Sequence, residues 1–103
     1  MITAVVTFKL PPEMTREKWR DHNKSVSPRF QEIPGLIRKQ FLYDGNGNGG
    51  GVYLWESREA AEACYKGPWK DAVAAIAKSE PTIAWFETAV IVDNQSHEVK
   101  VSD

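Results

Sequence analysis

Short segments rich in β-branched residues alternate along the chain with longer segments whose apolar residues recur at helical spacing. The first segment, Ile2 to Lys9, has the composition and length of a β-strand. Two prolines end it, and the hydroxyl of Thr15 can cap a helix that we predict from Arg16 to Glu32. Pro28 should kink or split this helix, because proline removes a backbone hydrogen bond and clashes with the preceding turn. One apolar stripe runs along the helix: Trp19, Val26, Phe30 and Ile33.

The second half of the chain predicts a hairpin, a helix in two parts and a final strand. Their predicted bounds are Leu36 to Tyr43 and Gly50 to Glu56 for strands two and three, Arg58 to Lys66 and Pro68 to about Ser79 for helix two, and Thr82 to Val92 for strand four. The loop from Asp44 to Gly49 consists of residues that tolerate positive φ. Gly67 divides helix two, since glycine commonly ends a helix. Residues 93–103 form a polar tail.

The resulting β-α-β-β-α-β order is that of the ferredoxin-like fold, an α+β arrangement with a four-stranded antiparallel sheet and helices on one face. We therefore predict a single domain over residues 1–92. Strand four carries mostly apolar residues on both of its faces, yet the helices can cover only one side of the sheet. Because an uncovered apolar face usually marks an interface, we expect a homodimer, sheet against sheet.

Composition narrows the functional classes. The chain has 103 residues, 42% of them apolar and 26% charged, and a formal net charge of −1. This balance argues against binding to the phosphate backbone of nucleic acid, and equally against binding to a membrane through basic residues. Cys64 is the single cysteine, so it can form neither an internal disulfide nor a thiolate metal site. Met1 to Lys9 lack the features of a signal peptide, and we expect a soluble, cytoplasmic protein with no metal.

The run from Ile33 to Trp69, IPGLIRKQFLYDGNGNGGGVYLWESREAAEACYKGPW, resembles the YdhR-like mono-oxygenases of the dimeric α/β-barrel superfamily. The shared features are the Pro-Gly pair before strand two, a glycine pair that opens strand three in GGVYLW, and the helix start SREAAEA. The resemblance implies a homodimer whose sheets form a barrel, with a pocket in each subunit between sheet and helices. Relatives in this superfamily oxidise polyaromatic phenols or quinols with oxygen and no cofactor, and others degrade haem, decompose chlorite or isomerise lactones.

His22 is the candidate catalytic residue, because it falls on the apolar stripe of helix one and an imidazole can take a phenolic proton near neutral pH. We expect its side chain on the buried side of the helix; the ordinary alternative is a core histidine bonded to a backbone carbonyl. Asn23 points about 100° away and is a weaker candidate. Arg38, on strand two beside Gln40 on the same face, could stabilise a phenolate, although a salt bridge is its more ordinary role.

Large aromatic side chains are the notable surplus of the chain. Rings at helical or strand spacing usually fill a core, but so many in a small core can leave a flat slot that suits a planar ligand. The predicted slot residues are Trp19, Tyr53, Trp55, Trp69, Trp85 and Phe86. Tyr53 and Trp55 share one face of strand three, and the sequence leaves open whether that face looks towards the helices.

Three other functional interpretations are not supported by the residues that surround their motifs. The glycine run from Gly45 to Gly51 lacks the Lys-Ser or Lys-Thr of a phosphate loop and leads into a strand. The segment GGGVYLWE lacks the basic start of an RNA-recognition motif. Haem-degrading relatives carry an asparagine on the first strand and a histidine on the second helix, and this chain has neither, although Trp69 is compatible with them. No haem ligand is therefore expected.

The sequence predicts a cofactor-independent mono-oxygenase that acts on an aromatic, phenolic or quinol-like small molecule, with His22 as base or hydrogen-bond donor. The alternatives are a non-catalytic binding domain for an aromatic metabolite and a lactone isomerase on the same fold. His22 separates enzyme from binder, since in an enzyme its imidazole should reach the pocket. In a binder it should be tied to the backbone and closed off by Trp19.

Overall fold

Three helices and six strands make up residues 1–102, the part of the chain that the computed structural model describes. They are β1 (Ile2–Lys9), α1 (Arg16–Gln31), β2 (Leu36–Tyr43), β3 (Asn48–Trp55), α2 (Arg58–Lys66), α3 (Pro68–Ala74), β4 (Thr82–Glu87), β5 (Val90–Asp93) and β6 (Glu98–Val101). Asp103, the end of the predicted polar tail, lies outside the described residues. No helix within residues 1–102 is long and apolar enough to cross a bilayer.

The sheet confirms the ferredoxin-like prediction. Its four strands are antiparallel in the order β2-β3-β1-β4, so β1 is central and pairs with β3 on one side and β4 on the other. Side chains alternate along a strand, and β1 buries Ala4, Val6 and Phe8 on the helix side. Ala4 lies opposite Tyr53 of β3 and Trp85 of β4. The face of strand three that carries Tyr53 and Trp55 therefore looks towards the helices, which settles the question the sequence left open.

Local signals fix the helices much as predicted. Thr15 caps α1 by accepting a hydrogen bond from the backbone N–H of Lys18, and Ser57 caps α2 in the same way. Gly67 separates α2 from α3 as predicted. Of the two effects predicted for Pro28, a kink or a split, the split does not occur, because α1 continues through this proline to Gln31 as a single helix. Helix α3 is shorter than predicted and ends at Ala74.

The predicted fourth strand is in fact two strands, and this is the main difference from the predicted topology. Strand β4 ends at Glu87, and β5 leaves the sheet to pair with β6. The predicted polar tail thus contains a strand. Asp93 closes the hairpin turn by accepting hydrogen bonds from the backbone N–H groups of Gln95 and Ser96. The valines of this hairpin are exposed: Val90, Val92, Val99 and Val101.

Strand β3 opens with glycines because its neighbours come too close for side chains. A Cβ on Gly49 would press against Leu10 and the ring of Trp19, and one on Gly51 against Lys39 and Tyr53. Gly50 has φ +154°, and a Cβ there would overlap the backbone carbonyl of Val6 in β1. The glycines therefore allow the central strand pair to form beneath large side chains.

We expect Gly50→Ala to destabilise the protein by about 3–5 kcal/mol, since unfavourable backbone geometry and steric overlap with β1 add together. Gly45→Ala is the matched control, because Gly45 also has positive φ but an added Cβ meets nothing within 4 Å. It should cost only about 1 kcal/mol. Urea denaturation of both variants measures the difference, and equal losses would contradict this account of Gly50.

Candidate functional site

A cavity of about 530 Å³ lies between the sheet and the helices. This volume is in the range of about 300–1,000 Å³ that small-molecule sites usually enclose. Its aromatic wall consists of Phe8, Trp19, Phe30, Phe41, Tyr53 and Trp69. The other polar groups that reach it belong to His22, Asn23, Arg29, Lys39 and Cys64. Within residues 1–102 no aspartate or glutamate lines the cavity, so the charged side chains that these residues contribute to it are all basic.

Helix α1 presents Trp19 and, one turn later, Asn23 to the cavity. The indole N–H of Trp19 donates to the carbonyl of Leu42 at 2.8 Å, which fixes the ring. Asn23 is only 6% exposed, and its Oδ1 is buried without a hydrogen-bond partner among the described residues. A buried acceptor without a partner is costly, and such groups are rare in folded proteins. The amide oxygen of Asn23 is therefore available to a donor on a ligand.

The prediction that His22 lies on the buried side of helix one is wrong. His22 is exposed, and Asn23 takes the buried position. The apolar stripe does not distinguish His22 from Asn23 for the buried position, because both lie about one turn from Trp19. In the structure the helix directs Asn23 inwards. The His22 ring stacks on Trp19 at a centroid distance of 5.7 Å and lines the outer part of the cavity. Its imidazole makes no hydrogen bond within residues 1–102, so it is not a tied core histidine either.

Lys39 is the residue that the sequence reasoning missed. A β-bulge between Leu36 and Arg38 shifts the register, and Lys39 then lies opposite Tyr53 on the helix side. Its Nζ is 3.4 Å from the centroid of the Phe30 ring, 3.9 Å from that of Phe41 and 4.4 Å from that of Tyr53. We call these three rings the lysine cage. The alternation of Lys39 with the apolar Phe41 along strand two was the signal that could have placed Lys39 on the helix side of the sheet.

Burial sets the protonation of the groups around the cavity. It lowers the pKa of Lys39 from 10.5 to about 7, although nearby Cys64 opposes this shift. Burial raises the pKa of the Cys64 thiol, and it raises the pKa of Tyr53 despite a hydrogen bond donated by Trp69 Nε1 to the Tyr53 hydroxyl at 2.9 Å. At neutral pH the thiol and the phenol are thus uncharged, whereas Lys39 titrates.

Four predicted pocket residues do not line the cavity. Trp55 is fully buried behind Tyr53, and its Nε1 donates to the Tyr65 hydroxyl at 3.1 Å. Trp85 packs against Tyr65, with the Arg58 guanidinium 4.0 Å from its ring centroid. Arg38 and Phe86 belong to the opposite face of the sheet, because strand alternation directs them away from the helices.

The remaining predicted pocket residues do meet at the cavity: Trp19, His22, Asn23, Tyr53 and Trp69. Cys64, the single cysteine of the chain, is half-buried and lines the cavity as well.

No protein-family model matches the chain, and no curated protein matches it. Among solved structures it is similar to a MhuD variant with two manganese protoporphyrin IX molecules per active site, at 21% identity and a TM-score of 0.69 over 91% of this chain and 100% of that one. It is also similar to the ActVA-Orf6 mono-oxygenase of Streptomyces coelicolor in complex with nanaomycin D, at 20% identity and a TM-score of 0.64, covering 87% and 90% of the two chains. A third is SnoaB, a cofactor-independent oxygenase from Streptomyces nogalater, at 15% identity and a TM-score of 0.62, covering 84% and 91%. The chain therefore shares the ferredoxin-like fold of these proteins.

The donor set of the cavity does not fit a haem. Proteins hold haem iron through histidine, thiolate, methionine or tyrosinate ligands. Burial keeps the Cys64 thiol and the Tyr53 phenol protonated, and His22 is exposed and stacked on Trp19.

Lys39→Met should raise the stability of the protein at neutral pH and flatten its pH dependence. The unfolded chain keeps the ordinary lysine pKa of 10.5, whereas the folded value is about 7. Between these values the unfolded state binds more protons, so the free energy of unfolding rises with pH by up to about 1.4 kcal/mol per pH unit. Below this window both states are protonated, and the cost of burying the ammonium group is felt in full.

Urea denaturation from about pH 6 to about pH 10 measures this slope for wild type and variant. Lys100→Met is the matched control, because Lys100 is exposed on β6. Parallel stability curves for wild type and Lys39→Met would contradict the pKa assigned to Lys39.

Proposed function

We propose that this protein binds a planar aromatic phenol or quinol in the cavity and oxidises it with molecular oxygen without a cofactor. The observation that carries the proposal is the buried, unpartnered Oδ1 of Asn23 in a cavity walled by aromatic rings. Rings favour a planar apolar molecule, and the amide oxygen needs a donor such as a phenolic hydroxyl. The shared fold with the SnoaB and ActVA-Orf6 oxygenases supports this choice of chemistry.

The proposed reaction begins with removal of the phenolic proton. The resulting phenolate is electron-rich, and a ring carbon that carries a hydrogen forms a bond to one atom of O₂ to give a hydroperoxide. The O–O bond then breaks, and the second oxygen atom leaves as water with the hydrogen of that carbon, which becomes the carbonyl of a quinone. The substrate supplies all the electrons, so no external reductant is required. His22 at the outer part of the cavity is the proposed base, held by its stack on Trp19. Asn23 would orient the substrate hydroxyl.

The contact of His22 with the cavity also bears on the non-catalytic alternative. If the protein were only a binding domain, its imidazole was expected to be bonded to the backbone and closed off by Trp19. The imidazole instead borders the cavity and makes no hydrogen bond within residues 1–102. This favours an enzyme over a binding domain.

We also propose that two copies of the chain form a homodimer through the open face of the sheet. Phe86 is 57% exposed on this face, and its apolar neighbours there are Val5, Val52 and Leu54. The β5–β6 hairpin adds exposed valines, and an isolated two-stranded hairpin is marginally stable in water. A second copy that covers both surfaces would stabilise both.

Oxygen uptake should depend on His22 and not on the other histidine. With naphthols, anthrols and hydroquinones as substrates and no added cofactor, we expect His22→Asn to lower the rate by about 100-fold, the usual contribution of a general base. His97→Asn is the matched control, because His97 lies in the hairpin turn with a positive φ that asparagine tolerates. Equal rates for the two variants would remove His22 from the mechanism, and no uptake by wild type would remove the oxygenase activity itself.

Sedimentation equilibrium should find a dimer for the wild-type protein. Phe86→Asp places a charge on the open face, and the cost of burying it should shift the protein to monomers. Phe86→Leu keeps the face apolar and should remain dimeric. A wild-type monomer, or a dimer that Phe86→Asp leaves intact, would contradict an interface on this face.

A further inference from the structure

When it is protonated, Lys39 carries a charge that nothing in the described part of the chain neutralises. The ion pairs within residues 1–102 are Arg20 with Asp21 and Arg58 with Glu62, both exposed. No carboxylate of the described residues lines the cavity that Lys39 borders. An unpaired cation away from water is among the costliest groups a protein can hold. A folded protein therefore tolerates such a cation where something else requires it.

The lysine cage holds the amino group in one place. Phe30 approaches from α1, and Phe41 and Tyr53 from neighbouring strands, so the rings come from separate elements that the core fixes. Ring faces attract the ammonium group but accept its hydrogen bonds only weakly. The Nζ makes no hydrogen bond to another described residue. Its donors thus stay available to a molecule in the cavity.

The other titratable groups at the cavity add no negative charge at neutral pH. Cys64 on α2 and Tyr53 on β3 are protonated, because burial raises the pKa of each. Arg29 and His22 on α1 are exposed and basic in type. The cavity therefore presents a positive potential to its contents, in a chain whose overall net charge is −1.

We propose that Lys39 binds an ionised oxygen of the ligand, so that the cavity selects planar aromatic molecules carrying a phenolate or a carboxylate over their neutral analogues. The inference rests on the proposed binding of an aromatic molecule, and it adds that this molecule carries a negative charge. Ion pairing supplies the counter-ion that Lys39 lacks, and Asn23 Oδ1 accepts from a separate donor on the same molecule. The ligand class is thus an aromatic with one anionic oxygen and one hydroxyl or N–H group.

Calorimetric titration with matched probes tests the charge preference. The probes are 2-naphthoate, which is ionised at neutral pH, and 2-naphthalenemethanol, which has the same ring system and no charge. Wild type should bind the carboxylate at least about 10-fold more tightly, the effect of a hydrogen bond to a charged group. Lys39→Met should lose this preference and keep its affinity for the alcohol. Lys39→Arg should retain the preference, and Lys100→Met, on the exposed strand β6, should behave as wild type.

A chromophoric phenol shows whether the ionised oxygen that Lys39 binds can be that of a phenolate as well as that of a carboxylate. Bound 4-nitrophenol should show its phenolate absorbance at a lower pH than the free compound, by about one unit for about 1.4 kcal/mol of preferential binding. In Lys39→Met this shift should disappear. A shift together with tight naphthoate binding supports a site for ionised oxygen in general, and a preference for naphthoate without a shift restricts it to carboxylates.

Equal affinity of wild type for 2-naphthoate and 2-naphthalenemethanol, without a shift for 4-nitrophenol, would overturn the role of Lys39 and leave the aromatic site standing. A preference for naphthoate that persists in Lys39→Met would also overturn it. If wild type bound none of the three compounds, the proposed aromatic site would fail together with the inference.

Discussion

Two hydrogen bonds between indole and phenol groups join helices α2 and α3 to the central part of the sheet. Trp55 on β3 donates to Tyr65 on α2, and Trp69 on α3 donates to Tyr53 on β3. An indole N–H is only a donor, and burying it without an acceptor would cost as much as a lost hydrogen bond. These bonds therefore decide how α2 and α3 sit over β3. The Trp55–Tyr65 pair closes the space beneath α2, and the cavity remains beside the other pair.

The glycines of β3 leave the space that the large side chains above the sheet occupy. The positions that would carry Cβ atoms on Gly49 and Gly51 are taken by the ring of Trp19 and by Lys39 and Tyr53. One strand in this way combines close backbone packing with the residues that border the site.

The fold could be predicted from the sequence because its signals are local. Thr15, Ser57 and Gly67 cap or end helices through contacts with residues a few positions away. The candidate site could be predicted only in part, because it depends on choices between adjacent residues. Helical spacing does not separate His22 from Asn23, and tertiary packing turned Asn23 inwards. Regular alternation from Leu36 would send Arg38 to the helix side, and the β-bulge sends Lys39 there instead. The departure of β5 from the sheet depends likewise on long-range pairing.

The distribution of the tryptophans gives the protein a built-in optical reporter. Trp19 and Trp69 border the cavity, whereas Trp55 is sealed beneath α2 and Trp85 is covered by Arg58. A molecule that enters the cavity touches the first two indoles and leaves the others in unchanged surroundings. Binding in the cavity should therefore change the fluorescence emission of two of the four tryptophans, while the other two supply a constant background within the same chain.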